Sequence, residues 1–364
     1  MKNILKRDLE KKIGNLHASQ LFDYINSKSN VISKNPEIAL ENIHRFNSYF
    51  TSSPGDNIPG VIGSLLVIAL VAPICIDEIS HKYGKYLFEL TDYLTGQDLV
   101  NLKKLIELTK TSFSGQEKII FDIARSIVTL KRPLILVTGA GLSYDSMPIT
   151  HELLPLLISC LKQAGVDNPK KLIEEDNEKV WDIIKQNQEV FKTMFQGWSL
   201  RSQPSLQHKV IAELIKNERI AISFSFNWDD LIERAYQELT NEELAVAVKD
   251  GDSGALWKYH GDCRDTSTNW VFPYENGYVF DKTHDYLEDV IKSKQPQFCI
   301  IIGYSEQECE VQKKLISPLE SGVEKCIRIR PGISPSATSL DLNAKTFFKL
   351  LKICINLEEE KIKG

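Results

Sequence analysis

Hydrophobic residues follow a helical period through the first third of the chain. Residues 18–27, 36–49 and 83–94 carry apolar side chains at three- and four-residue spacing, which is typical of amphipathic helices. Up to about residue 125, no apolar run of strand type is followed by a glycine turn. The pattern therefore predicts an all-α N-terminal module over residues 1–125, for which we expect a role in assembly or regulation.

One stretch of this module, residues 58–76, is uncharged and just long enough to cross a bilayer as a helix. Pro59 and Gly63 crowd its start and Pro73 interrupts its end, so the longest continuous helix is too short to span. Acidic residues flank the stretch, and no cluster of Lys and Arg marks a cytoplasmic side. The pattern favours a helix buried in a core or subunit interface, with a membrane anchor as the alternative.

The pattern changes at residue 131, where short apolar runs begin to alternate with helical stretches. We predict strands at 134–138, 220–226, 255–259, 270–272 and 298–302, and helices at 168–195 and 205–216. This alternation is typical of an α/β fold with a Rossmann-like, doubly wound, mostly parallel sheet. We assign that domain to residues 126–335 and a C-terminal helical tail to residues 336–364.

Composition and charge narrow the functional classes. Forty-nine acidic and 44 basic side chains give a net charge of -5, which supplies no broad positive field for holding a nucleic acid. The seven cysteines include no C-x-x-C pair, which argues against a disulfide framework and a zinc ribbon. The N-terminus is charged and lacks the apolar region of a secretory signal. We expect a cytoplasmic protein with reduced thiols, no bound metal and no direct nucleic-acid binding.

A glycine-rich turn follows the first predicted strand and precedes a helix. Gly139, Ala140, Gly141 and Ser143 belong to this turn, whose backbone could approach a diphosphate and aim N–H groups at it. Tyr144 stands where the third glycine of the usual dinucleotide motif would be, so the turn by itself is a weak signal. It becomes informative only together with the turns that follow the other strands.

Three further predicted strands end in small or polar residues. Asn227 and Asp229 follow the second, His260 follows the third, and Gly303 and Ser305 follow the last. Asn and Asp are also common helix caps, and a single histidine is often structural. Ligands of doubly wound sheets bind at the carboxyl ends of the strands, and all of these residues are predicted there. We therefore expect the four turns to converge on one ligand.

In order and context these motifs resemble the sirtuin family over residues 133–310. A G-A-G-x-S turn, an N-x-D turn, an H-G turn and a late G-x-S turn are features of that family, and all four stand in this chain. The run FNWDDLIERAY at residues 226–236 is especially similar to its counterpart in bacterial sirtuin-like anti-phage defence proteins. The resemblance implies NAD as the substrate, with its diphosphate on residues 139–143 and a ribose near the Gly303-x-Ser305 turn.

The resemblance also implies roles for the polar residues. Asp229 would lie near the nicotinamide amide, Asn227 would orient water or ribose hydroxyls, and His260 would act as a general base. Protein deacylases of the family carry a zinc module after the histidine, and the interval from His260 to Gly303 is too short for it. Residues 146–150 also lack the aspartate, phenylalanine and arginine that deacylases carry there.

These departures favour hydrolysis of NAD to nicotinamide and ADP-ribose over transfer to a protein. An unregulated enzyme of this kind would poison its own cell, so we expect a homo-oligomer or a regulatory partner to control it. Depletion of NAD in anti-phage defence by abortive infection is the expected role. The alternatives are a deacylase or ADP-ribosyltransferase, and a non-catalytic nucleotide-sensing subunit. The nucleotide itself could be NADP or a signalling relative of NAD.

Overall fold

A computed structural model describes residues 96–109, 116–147, 153–265, 267, 270–275, 279–305 and 308–363, with seven single positions between 62 and 94. The helices predicted at 18–27 and 36–49 lie outside these residues. The chain divides into two compact units, Met1–Phe121 and Asp122–Gly364.

The described residues of the first unit are helical except Leu94. The unit contains α1 (Gly96–Thr109), and α2 (Gln116–Val128) includes the boundary between the units. Within the apolar stretch 58–76, four described positions are helical and fully buried, namely Ile62, Leu65, Leu66 and Ala69. Their spacing places them on one face of a helix. Among the residues that the structure describes, no helix is both long and apolar enough to cross a membrane.

The second unit is built on a seven-stranded sheet in the order β3-β4-β2-β1-β5-β6-β7. The strands are β1 (Leu134–Thr138), β2 (Ile220–Ser225), β3 (Val246–Ala247), β4 (Leu256–Lys258), β5 (Phe298–Ile302), β6 (Lys325–Ile329) and β7 (Ser339–Leu340). Every neighbouring pair is parallel. This confirms the predicted α/β class with a doubly wound parallel sheet.

Register places the carboxyl ends of the central strands level with one another. Thr138, the last residue of β1, pairs with Ser225 of β2 and with Ile302 of β5. Ser225 pairs in turn with Lys258, the last residue of β4. All five residues of β1 and of β5 are buried, as expected for central strands covered on both faces. The turns that leave β1, β2, β4 and β5 therefore start at the same edge of the sheet.

Helices cover the sheet and build a second core beside this edge. The helices are α3 (Leu154–Gln163), α4 (Pro169–Glu175), α5 (Asn177–Gln186), α6 (Gln188–Arg201), α7 (Leu206–Lys216), α8 (Leu231–Thr240), α9 (Thr283–Lys294), α10 (Cys309–Val311), α11 (Ser317–Gly322) and α12 (Ala344–Lys363). A single π-helical turn, Gln312–Ile316, joins α10 to α11. Buried side chains of α3, α5 and α6 pack with Trp270 and Phe272 in one cluster.

Several elements differ from the sequence prediction. The helix predicted at 168–195 is three helices, because the side chains of Asn168 and Asp176 accept hydrogen bonds from Lys171 N and Lys179 N and start α4 and α5. The strand predicted at 270–272 is wrong, since these residues join no ladder and their apolar side chains are buried.

The sheet also extends beyond the predicted strands. β3, β6 and β7 were not predicted, and β7 lies after residue 335. The two-residue strands β3 and β7 are too short to carry a periodic signal. The final helix α12 packs against α7, where Lys352 Nζ donates to Glu213 Oε2 at 2.7 Å. The domain boundaries at 125 and 335 stay predictions.

Candidate functional site

Two glycine turns meet backbone to backbone at the carboxyl edge of the sheet. Gly139 N donates to Ile302 O at 3.0 Å, and Gly141 N donates to Gly303 O at 3.0 Å. Gly303 has a φ of +68°, and a Cβ atom on it would lie 2.5 Å from Leu142 N. Only a residue without a side chain permits this conformation together with this approach. The glycines therefore bring the turns after β1 and β5 into direct contact.

This contact bears on the predicted diphosphate grip of residues 139–143. The N–H groups of Gly139 and Gly141 already donate to backbone carbonyls, so neither is available to a phosphate in this arrangement. Ala140 is exposed between them, and its amide takes part in neither bond. Ser305, on the other turn, is exposed as well. The glycines thus shape the surface, while the exposed Ala140 remains open to a ligand.

Ser143 lies at the centre of a buried hydrogen-bond network. Its Oγ donates to Asp229 Oδ2 at 2.9 Å and accepts from Asn227 Nδ2 at 3.3 Å. His208 Nε2 lies 3.1 Å from the same Oγ. Because Ser205 N donates to His208 Nδ1 at 3.1 Å, the neutral ring carries its proton on Nε2 and donates it to Ser143. The turns after β1 and β2 are therefore joined through one hydroxyl group.

The position of the proton on the neutral His208 ring shows that His208 does not activate Ser143 as a nucleophile. Burial lowers the pKa of His208 below its usual value, although Asp229 and Asp145 raise it in part. A neutral His208 that donates to Ser143 cannot also take a proton from it. Sequence reasoning missed His208, which stands three residues after Ser205 at the start of a predicted helix. That capping-box spacing was the available signal.

Asn227 has a side-chain acceptor that no described protein group uses. Asn227 is only 6% exposed, and its Oδ1 is buried without a hydrogen-bond partner among the described residues. Leaving a buried acceptor unsatisfied costs about 1 to 3 kcal/mol, so such atoms in native structures call for a partner. The neighbouring Asp229 is also buried, with Oδ1 accepting from Leu231 N at 3.2 Å. A ligand hydroxyl or water is the natural donor for Asn227 Oδ1.

His260 contacts the turn that carries Asn227. Its ring packs edge-on against Phe226, the residue before Asn227, with ring centroids 5.0 Å apart. Phe226 also stacks on Tyr304 at 4.3 Å, which links the histidine to the turn after β5. His260 Nε2 lies 2.8 Å from Glu308 Oε2. The structure thus brings the predicted histidine together with a carboxylate that sequence reasoning missed.

Next to these turns lies a cluster of charges that the sequence did not reveal, in which Lys258, Glu233 and Asp262 are buried and Arg264 is exposed. Lys258 contacts the side chains of Glu233 and Asp262, and Arg264 contacts Asp262. Burial lowers the pKa of Lys258, but the two carboxylates outweigh this and raise its pKa above the ordinary value. The ammonium group is therefore charged at neutral pH. Among the described residues, no group of three or more His, Cys, Asp and Glu could hold a metal ion.

Comparison with known proteins finds similarity at the level of the fold. No family model matches the sequence, and no curated protein matches it. A mutant Sir2 homologue in complex with ADP-ribose is 19% identical with a TM-score of 0.41, covering 68% of this chain and 98% of that chain. A Sir2 homologue in complex with NAD is 20% identical with a TM-score of 0.39, covering 68% and 94%.

A third similar structure comes from work on the mechanism and regulation of Sir2 enzymes. It is 16% identical with a TM-score of 0.42, and the match covers 67% of this chain and 98% of that chain. At such low identities and TM-scores, these similarities decide neither the ligand nor the reaction of this chain.

Proposed function

We propose that this protein is a regulated NAD glycohydrolase that cleaves NAD to nicotinamide and ADP-ribose. The observation that carries the proposal is the buried Oδ1 of Asn227, which has no hydrogen-bond partner among the described residues and belongs to a side chain held by Ser143 at the edge where four turns meet. Asn227 and His260 are its catalytic residues. The order of the four sequence motifs, which resembles that of sirtuins, supports NAD as the ligand.

The arrangement of the turns suggests how the dinucleotide would lie. Its diphosphate would cross the meeting point of the turns after β1 and β5, beside the exposed Ala140. The nicotinamide end would then extend towards Asp229, and the adenosine end towards Gly303 and Ser305. Both carboxylate oxygens of Asp229 accept a hydrogen bond from the protein, and each keeps a lone pair for the nicotinamide amide.

The reaction breaks the bond between the ribose C1′ and the nicotinamide nitrogen. The bonding electrons return to the pyridinium ring, so nicotinamide leaves as a neutral molecule and needs no general acid, unlike an ordinary glycoside leaving group. A water oxygen bonds to C1′, and His260 accepts the proton that this water loses. The net change is NAD⁺ plus water to nicotinamide, ADP-ribose and a proton.

The contact between Glu308 and His260 suits this role. An ionised carboxylate accepts hydrogen bonds only, so the Nε2 atom of the neutral ring must carry the proton that it donates to Glu308. Nδ1 is then the nitrogen with a free lone pair. Glu308 also stabilises the imidazolium ion that forms when His260 takes a proton. A carboxylate, a histidine and a water-orienting amide together would activate water on one side of a bound ribose.

The proposal also includes control of the activity and a role in anti-phage defence. Continuous hydrolysis of NAD would harm the host cell, so the enzyme must be restrained until a trigger arrives. We assign this control to assembly into a homo-oligomer or to a partner protein, with residues 1–125 as the contact surface. The similarity of residues 226–236 to bacterial defence proteins is the reason for placing the reaction in abortive infection.

The direct test is incubation of the purified protein with NAD, at several protein concentrations and with its genomic neighbour, followed by measurement of free nicotinamide. Asn227→Ala and His260→Ala should each lower the rate about a hundredfold or more. His284→Ala is a matched control, because that histidine is exposed on α9. It should leave the rate unchanged.

Other products identify the alternatives. Nicotinamide release that requires an acetylated peptide would instead identify a deacylase. Absence of nicotinamide release under all of these conditions, with no heat of NAD binding in calorimetry, would overturn the proposed function.

A further inference from the structure

Lys258 connects the two turns that carry the proposed catalytic residues. It is the last residue of β4 and is only 1% exposed. Its Nζ donates to Asp229 O at 2.7 Å and to Trp228 O at 3.3 Å. The same Nζ lies 3.0 Å from Glu233 Oε1 and 3.3 Å from Asp262 Oδ1. One ammonium group therefore reaches the backbone of the Asn227 turn and a side chain two residues beyond His260.

We propose that Lys258 is a positioning residue, which fixes the turn of Asn227 and Asp229 relative to the turn of His260. The proposal rests on the proposed function for its catalytic consequence, but the positioning itself is a property of the free protein. Lys258 contacts the backbone carbonyl groups of this turn and not the side chains of Asn227 and Asp229. The side chains of Asn227 and Asp229 meet Ser143, whereas the carbonyls of the same turn receive Lys258.

The cluster around Lys258 is balanced in charge. Lys258 and Arg264 supply two positive charges, and Glu233 and Asp262 supply two negative charges. Arg264 lies 2.6 Å from Asp262 Oδ2 and 3.5 Å from Glu233 Oε1. A buried ion pair often stabilises a fold no more than an apolar pair of the same size would. Here the ion pair matters because its ammonium group donates hydrogen bonds to carbonyls at defined positions, which an apolar side chain cannot do.

A backbone hydrogen bond joins the same two turns as Lys258. Cys263 N donates to Trp228 O at 2.8 Å, so this carbonyl accepts from the His260 turn and from Lys258 together. Trp228 stands between Asn227 and Asp229, and its carbonyl is thus the point at which the two turns are joined. Since catalysis by several groups depends on their relative placement, a small displacement of either turn lowers the rate.

The test separates the positioning role from simple charge balance. Lys258→Met alone leaves the buried Glu233 carboxylate without its ammonium partner and is expected to destabilise the protein. Lys258→Met combined with Glu233→Gln restores neutrality, because Asp262 and Arg264 remain as a pair, but it supplies no donor to the carbonyls of Trp228 and Asp229. We expect this double variant to regain a melting temperature within about 5 °C of the wild type.

The same double variant should not regain activity. Its kcat should stay about tenfold or more below the wild type, while its Kd for ADP-ribose changes less than about threefold. Amide hydrogen exchange, measured without nucleotide, should be faster at residues 226–231 and 259–264 and unchanged elsewhere. Recovery of both stability and kcat, or normal exchange in the two turns, would overturn the positioning role.

A matched control lies at the opposite end of β2. Arg219 pairs with Glu359, and Arg219→Met with Glu359→Gln removes that charge pair far from the site. This double variant should keep the wild-type exchange at residues 226–231 and 259–264, together with the wild-type kcat. If the wild-type protein neither releases nicotinamide under any of the conditions given above nor binds NAD in calorimetry, the proposed function fails, and the exchange comparison still decides whether Lys258 holds the two turns.

Discussion

The carboxylate of Glu308 lies 2.8 Å from Nε2 of His260, and the two residues come from opposite sides of the central strand β1. His260 follows β4, whereas Glu308 immediately precedes α10, after β5. Their contact joins the turn after β4 to the segment after β5. It also makes the geometry of the proposed base depend on a residue 48 positions later in the chain.

Loss of the Glu308 carboxylate should slow the reaction more than it weakens binding. Glu308→Ala is expected to lower kcat about tenfold to a hundredfold, because His260 loses the group that orients it and stabilises its cationic form. Glu308→Gln retains an acceptor without the charge and should fall between alanine and the wild type. Steady-state kinetics of nicotinamide release measure both.

Glu310 provides the control for Glu308. It stands two residues later and pairs with Lys314 on the surface. Glu310→Gln should leave kcat unchanged. If the Glu308 variants were as active as this control, the carboxylate would have no part in the reaction.

Gly303→Ala should separate the two glycine turns. The added Cβ would meet Leu142 N at 2.5 Å in a residue whose φ is +68°. We expect a loss of about 2 to 4 kcal/mol in the free energy of unfolding, from backbone strain together with the displaced turn. Nucleotide affinity should also fall, and urea unfolding with calorimetry measures the two effects.

Gly332→Ala isolates the contribution of backbone strain. Gly332 has a φ of +78°, but a Cβ on it would meet nothing within 4 Å. This variant should cost only about 1 to 2 kcal/mol and leave nucleotide affinity unchanged. Equal effects of the two substitutions would contradict the idea that close approach of the turns matters.

Stability should depend on the ionisation of His208. Burial lowers the pKa of His208 in the folded protein, so the unfolded chain binds more protons in the pH range between the folded value and the ordinary value of about 6.5. The contribution is complete above about pH 6.5 and declines as the pH falls below it. Melting temperatures recorded from about pH 7.5 down to about pH 5 should therefore decrease.

His208→Gln tests the origin of that decrease. Glutamine does not titrate and keeps an N–H donor for Ser143, so the pH dependence of the melting temperature should become flatter. His284→Ala, on the exposed surface of α9, should leave the curve unchanged. A curve for His208→Gln as steep as that of the wild type would assign the pH dependence to other groups.

Ser143→Ala distinguishes a bridging hydroxyl from a nucleophile. Removal of Oγ leaves the buried His208 Nε2–H without its acceptor and Asp229 Oδ2 without its donor, at a cost of about 1 to 3 kcal/mol. We expect weaker NAD binding and a measurable residual kcat. Complete loss of kcat at unchanged affinity would indicate a covalent role that the hydrogen-bond directions oppose. Ser321→Ala, on the surface of α11, is the control.

Local patterns were sufficient for the strands that carry the site. β1 and β5 coincide with the predicted segments, because four or five consecutive apolar residues ending at glycine or threonine leave little choice of structure. β2 and β4 were predicted to within one residue at either end. The segment 270–272 failed because an apolar triplet satisfies a strand pattern as well as it satisfies irregular packing beside α6.

The partners of the site residues could not be found in this way. Glu308 and Lys258 carry no local motif that marks them, since glutamate and lysine are common residues on helices and strand ends. The capping-box spacing of His208 after Ser205 marks the start of a helix and not a functional site. The importance of Glu308, His208 and Lys258 arises from contacts across 48, 65 and 29 positions of sequence. Such pairs depend on strand order and register, which are decided only when the whole sheet forms.

By itself, the sequence determined the class of the fold, the positions of its central strands and the order of the turns at their carboxyl ends. These features depend on periodicity and on glycine, which act over a few residues. The tertiary structure alone decided that the amides of Gly139 and Gly141 bind Ile302 and Gly303, that Ser143 donates to Asp229, and that a buried ammonium supports the turns. Hydrogen bonds have direction, and the direction of each became fixed only when parallel strands aligned four separate turns along one edge.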